Sequence, residues 1–215
     1  MERPSPNPMV DEVHQVLASG DPAAIEALLT RMALNPPALD TGDYGAIGAW
    51  IYRKQRLLSR LSEDHQALRR LRERLAAAFD PRQDSAFLLT DLLTLDSLGG
   101  WDADTIALLH QLEQHDPASA ARAALLALDA LERQGEIALA SRALQAPLEE
   151  LGLEAERLGQ LAQERDPAFA GLLERSRSRA HERAALISRL LTAAGRHADS
   201  EAVRAFAQAH FGSDQ

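Results

Sequence analysis

The residues with chemistry to offer are seven histidines, a large set of carboxylates and one arginine-rich segment that also carries aromatic side chains. Metal sites need ligands that converge, and His14, His65, His110, His115, His181, His197 and His210 form no recognised metal-binding pair. His110 and Glu113 lie one helical turn apart and can share a face. Glu-x-x-His and His-Glu-x-x-His are both absent, which removes the usual carboxylate-bridged and zinc-protease helices. His115 and Asp116 are adjacent potential ligands, yet Asp116 precedes Pro117 and is better employed as a helix cap. Glu149, Glu150, Glu154 and Glu156 cluster at the start and outer side of a predicted helix, where acidic residues suit the helix dipole. Glycine loops that cradle phosphate and the Gly-x-Ser-x-Gly nucleophile turn are missing. The lack of cysteine excludes disulfides, thiolate metal sites and cysteine nucleophiles. No catalytic residue, metal or cofactor is therefore expected. The alternative is a helical enzyme whose histidines and carboxylates meet in a metal site only once the chain has folded.

The remaining constellation is Trp50 and Tyr52 beside Arg53, Arg56 and Arg60. Aromatic plus arginine is the palette of interface hot spots. Residues 53 to 74 hold eight basic side chains against three acidic ones, a charge of +5 within a chain of net charge −9, so the remainder sums to −14. These arginines must pair with the chain's own acids, meet an acidic protein or peptide, or neutralise nucleic acid. The global negative charge opposes the last of these. Trp50, Tyr52, Arg53, Arg56 and Arg60 are accordingly read as the partner-binding residues. A second run, Arg175, Arg179 and Arg183, sits beside Glu174 and Glu182 at a spacing that suits intrahelical pairing.

Such side chains must be carried by helices. Of the residues, 46% are hydrophobic, mostly Ala and Leu, and only 4% are aromatic, so intrinsic propensity favours helix nearly throughout. Asp-Pro opens helices at Asp21, Asp80, Asp116 and Asp166, and Gly20, Gly99, Gly100, Gly135 and Gly195 close them. A long helix from Asp43 is predicted to turn Tyr44, Ile47, Ile51, Leu58 and Leu61 inward, widened by Trp50 and Leu57, with Arg53, Arg56 and Arg60 opposite. Between Asn35 and Gly42 the paired prolines predict a loop and hinge. Gly152 and Gly159, seven residues apart in a later helix, are expected to allow close packing against a neighbour. The expected architecture is all-α: about ten helices arranged as stacked antiparallel hairpins, an irregular α-solenoid, or as a multi-helix bundle. Residues 1–8 and 212–215 are expected to be disordered tails around a single helical domain, 9–211.

Between Asp116 and Leu148 a hairpin is written almost completely in sequence. Ala124, Ala127, Leu128, Leu131, Gly135, Ala140 and Leu144 fall at the relative spacing of a tetratricopeptide unit, which this stretch resembles, and Ala184, Ile187, Ser188, Leu191 and Gly195 echo its first half. The large aromatic positions of that family hold Ala or Leu here. The resemblance covers about a fifth of the chain and implies a helical-repeat protein that binds proteins or peptides in a concave face. The functional expectation is thus a non-enzymatic interaction module, an adaptor or regulator, with self-association left open. No apolar run approaches the ~18 residues needed to span a bilayer, and the first nine residues lack a signal-peptide core. A cytoplasmic site of action follows, and the near-exclusive use of arginine as the basic residue accords with a GC-rich bacterial genome.

Overall fold

A computed structural model of the chain describes residues 8–36, 44–82, 86–163 and 170–212. Among them, 86% are helical, in twelve helices, and there is no strand. The helices group into two compact units, residues 1–111 and 112–215. Unit 1 holds α1 (Pro8–Ser19), α2 (Pro22–Leu34), α3 (Tyr44–Leu61), α4 (His65–Ala78) and α5 (Ala86–Gly99). α6 (Asp102–Glu113) runs to the boundary, and unit 2 holds α7 (Pro117–Leu126), α8 (Leu128–Gln134), α9 (Ile137–Ala143), α10 (Pro147–Gln163), α11 (Ala170–Ala193) and α12 (His197–Phe211).

Helix starts follow the orphan-donor logic of the first turn. Asp21, Asp64 and Asp116 each accept backbone N–H groups at the heads of α2, α4 and α7, and Pro22 and Pro117 occupy positions where a missing N–H costs nothing. Asp80 behaves differently. Its carboxylate accepts the Arg82 N–H at 3.0 Å within a turn, and α5 begins only at Ala86. α2 ends at the C-cap Asn35, where the predicted loop begins; the rest of that loop and hinge, from residue 37, and the Asp166–Pro167 start lie outside the described residues.

Three helix ends share one construction. Gly100, Gly135 and Gly195 have φ of 67°, 71° and 75°, a region that penalises any side chain. The next N–H in each case reaches back five residues, Trp101 to Asp96 (2.8 Å), Glu136 to Leu131 (2.9 Å) and Arg196 to Leu191 (2.8 Å). These bonds satisfy carbonyls that the helix itself leaves open.

The core of unit 1 is leucine. Ile25, Leu28, Leu29 and Met32 of α2 meet Leu68, Leu71 and Leu75 of α4, which also packs on Leu92 and Leu95 of α5. A leucine removed from water contributes about 1.5–3 kcal/mol, so a dozen such side chains set the scale of the unit's stability. In unit 2 the predicted first helix of the hairpin is interrupted. Ala127 (φ −120°, ψ 21°) ends α7 and heads α8, so the expected stripe is divided between two helices. Ala124, Leu128 and Leu131 are nevertheless buried, and α7 and α8 both pack on Leu139, Ala140 and Leu144. The glycine expectation fails: a Cβ at Gly152 or Gly159 would meet nothing within 4 Å, so no close helix approach explains either residue.

Candidate functional site

α3 carries the residues singled out by sequence. Its buried stripe is Trp50, Lys54, Leu57, Leu58 and Leu61, a spacing of four, three, one and three that fills a single helical face. The inward arc is therefore rotated from the predicted one. Ile51 is 41% exposed, and a lysine lies at the centre of the buried face. Lys54 forms an ion pair with Asp91 of α5, and its ammonium stands 4.6 Å from the centre of the Trp50 ring. Trp50 in turn meets Phe87 edge-on at 5.7 Å, and its indole N–H is buried without an acceptor among the described residues. Burial pushes the Lys54 ammonium down and the Asp91 carboxyl up from their ordinary ranges, each partly offset by the charge of the other.

Trp50, at 5% exposure, is thus part of the packing between α3 and α5, whereas Tyr52 is 61% exposed. Arg56 and Arg60 are also exposed, and Arg53 is half-buried. Arg60 pairs with Glu63, while Arg53 and Arg56 have no ion-pair or hydrogen-bond partner among the described residues. The open face of α3 is a stripe of Ile51, Tyr52, Gln55 and Arg56.

On α4 the arginines are internally paired. Arg72 grips Asp96 of α5 with Nε at 2.8 Å and Nη2 at 3.3 Å, and the Thr105 hydroxyl donates to the same carboxylate at 3.2 Å. Asp96 is fully buried, and burial pushes its carboxyl above the ordinary range against the opposing pull of Arg72. Arg70 and Arg74 both lie 3.1 Å from the buried carboxylate of Glu26 on α2. Arg69 pairs with Asp104 and Glu73 and lies 4.8 Å over the ring of Trp101, which His65 also approaches edge-to-face at 5.2 Å. Gly99 makes room for that ring: a Cβ there would stand 2.5 Å from it.

Unit 2 uses arginine in another way. Breaking the hairpin's first helix at Ala127 exposes carbonyls near the end of α7, and Arg183 Nη2 donates to one of them, Leu125 O, at 3.0 Å. Arg196 Nη1 donates to Leu144 O at 2.6 Å and Ser141 O at 3.2 Å, at the end of α9, while its Nε holds Asp199. A cation at a helix C-terminus satisfies orphan acceptors and opposes the negative end of the dipole. Arg189 binds Glu132 of α8 through two nitrogens, at 2.6 and 2.9 Å, and these bonds hold the Glu132 carboxyl below its usual range.

An open groove of about 600 Å³ lies along α11 and α12, lined by His181, Ala185, Ser188, Arg189, Thr192, Ala193 and Arg204. Ser188, the most buried of these, sits in a hydroxyl cluster with Ser200 and Thr192. Thr192 and Ser200 both donate to the Ser188 carbonyl, at 2.9 Å each. The hydroxyls are therefore engaged within the protein. Arg204 and His181 have no partner among the described residues.

Among the described residues no three His, Asp or Glu side chains are arranged to hold a metal ion. His65 and His210 face aromatic rings, and Asp116 is engaged by the Ala118 and Ser119 N–H groups at 3.1 and 3.0 Å, the capping role expected of it. No helix among the described residues is long and apolar enough to cross a membrane. No family model, curated protein or solved structure matches the chain.

Proposed function

We propose that this protein is a non-enzymatic helical interaction module, an adaptor or regulator of the bacterial cytoplasm, and that it binds a protein or peptide partner through the open face of α3. One observation carries this reading: Ile51 and Tyr52 lie exposed on the same helical face as Arg56, which no carboxylate among the described residues pairs. An exposed tyrosine offers large contact area for few rotors, and an adjacent guanidinium adds a directional donor, the combination that dominates binding hot spots. Trp50 and Lys54 support the stripe from beneath, because they fix the rotation of α3 about its axis. Arg53 and Arg60 flank it as rim charges. The tetratricopeptide resemblance of the 116–148 hairpin is consistent with an interaction role, since that family binds proteins without catalysing a reaction.

The test is a paired capture experiment with the parent and a Tyr52→Ser/Arg56→Glu variant, at matched salt, followed by identification of the recovered proteins. A partner that the parent retains and an equally helical variant loses supports the reading. Identical recovery by both proteins overturns it.

A further inference from the structure

We propose that the groove along α11 and α12 binds an acidic helical segment of a partner protein, at a surface additional to the α3 stripe. The first argument is charge. Among the described residues the groove's ionisable lining is His181, Arg189 and Arg204, with no carboxylate. Arg189 is neutralised by Glu132 through Nε and Nη2. Arg204 and His181 have no acid partner among the described residues, although 32 Asp and Glu residues outnumber 23 Lys and Arg in the chain. An arginine left without an acid partner in a concavity is a free guanidinium donor, and such a donor suits a carboxylate ligand.

The second argument concerns the shape of that ligand. The α11 lining residues recur from His181 to Ala193 at four-, three- and one-residue intervals, so they form one helical face about 18 Å long at 1.5 Å per residue. The donors are spread along this face instead of converging on one point, as an isolated phosphate would require. Between them the lining is Ala185, Ser188, Thr192 and Ala193, whose small side chains permit close approach of another backbone. The Ser188, Thr192 and Ser200 hydroxyls are already bonded within the protein, so Arg204 and His181 supply the free donors. A helix with carboxylates at four-residue spacing matches these features, with its acids toward Arg204 and His181 and its small residues over the alanines.

The probe is a fluorescein-labelled, alanine-based peptide of about 15 residues with Glu at four-residue spacing, long enough to be partly helical. Its anisotropy is followed on titration with the full chain. Saturable binding that weakens with added salt is expected, together with no binding by the same peptide carrying Gln for Glu. Arg204→Glu, an exposed change checked by circular dichroism, is expected to lower affinity by about tenfold or more through like-charge repulsion. His181→Glu provides a second exposed acidic substitution should the first variant lose helicity. The Tyr52→Ser/Arg56→Glu variant is expected to bind the peptide like the parent. Equal binding of the Glu and Gln peptides, unchanged affinity in both groove variants, displacement by a single-stranded oligonucleotide at lower concentration than by unlabelled peptide, or loss confined to the α3 variant would each overturn the proposal.

Discussion

The basic segment of α3 and α4 and the groove of α11 and α12 reverse what their sequences advertise. The first has the chain's strongest local positive charge, yet Lys54, Arg60, Arg69, Arg70, Arg72 and Arg74 are all held by carboxylates of the same protein. The second lies in a stretch of mixed sign, yet Arg204 stands without an acid among the described residues. A cationic surface is thus determined by where acids are delivered by neighbouring helices. Asp91 and Asp96 of α5, Glu26 of α2 and Asp104 of α6 meet the basic segment through tertiary packing, from 24 to 48 residues away. Among the described residues, nothing comparable reaches Arg204. Charge excess along a chain therefore says little about free charge on a surface unless the partners of each group are known.

The largest test of this comparison is the buried Lys54–Asp91 pair. Lys54→Met leaves the Asp91 carboxylate desolvated and unpaired, and should cost about 3–5 kcal/mol in a denaturant melt. Lys54→Met/Asp91→Leu removes both charges and should recover most of that loss, because apolar packing at such a site is often as good as the ion pair. A single substitution costing less than ~1 kcal/mol would mean that Lys54 escapes to solvent, and that the basic segment is less fully paired within the fold than its geometry indicates.

A smaller effect separates the two uses of arginine in unit 2. Arg196→Gln removes a charged donor from two carbonyls at the end of α9, with an expected cost of about 1.5–3 kcal/mol. Arg189→Gln breaks a bidentate pair whose arginine is 58% exposed, and should cost about 1 kcal/mol or less. Equal losses in parallel thermal melts would erase the distinction between arginines that cap helix ends and arginines that decorate them.

Sequence revealed the helices because propensity, Asp-Pro starts and glycine stops agree locally, and the four left-handed glycines among the described residues, Gly20, Gly100, Gly135 and Gly195, mark helix ends within one or two residues. The site was less legible. Lys54 reads as one more charge on a polar face; only its position between Trp50 and Leu57 on the buried side makes it part of the core. A signal for it did exist. Asp91 and Asp96 interrupt the apolar run Phe87–Leu95 and its end, where a buried carboxylate requires a cation from elsewhere in the fold. The break at Ala127 has no such signal, since alanine is the best helix former and local propensity argues for continuity. The α11–α12 groove depends on His181 and Arg204, which are 23 positions apart and line one groove only because the chain reverses at Gly195.

The finest test addresses the α3 arginines. Arg53, Arg56 and Arg60 replaced together by Gln should shift unfolding free energy by less than about 1 kcal/mol, because the one ion pair they make among the described residues, Arg60–Glu63, has side-chain exposures of 49% and 65%. Water and salt screen such a pair, and immobilising two long side chains offsets most of the remaining attraction. The half-buried stem of Arg53 adds some packing, which Gln retains in part. Arg72→Gln on α4 is the matched control, since it strips a charged donor from fully buried Asp96 and should destabilise well beyond the triple variant. If the triple variant loses as much stability as Arg72→Gln, the α3 arginines are bound into the fold as firmly as those of α4, and the basic segment presents no free recognition surface. A triple variant that melts with the parent, beside a destabilised Arg72→Gln, leaves α3 as the part of the segment whose charge is available to a partner.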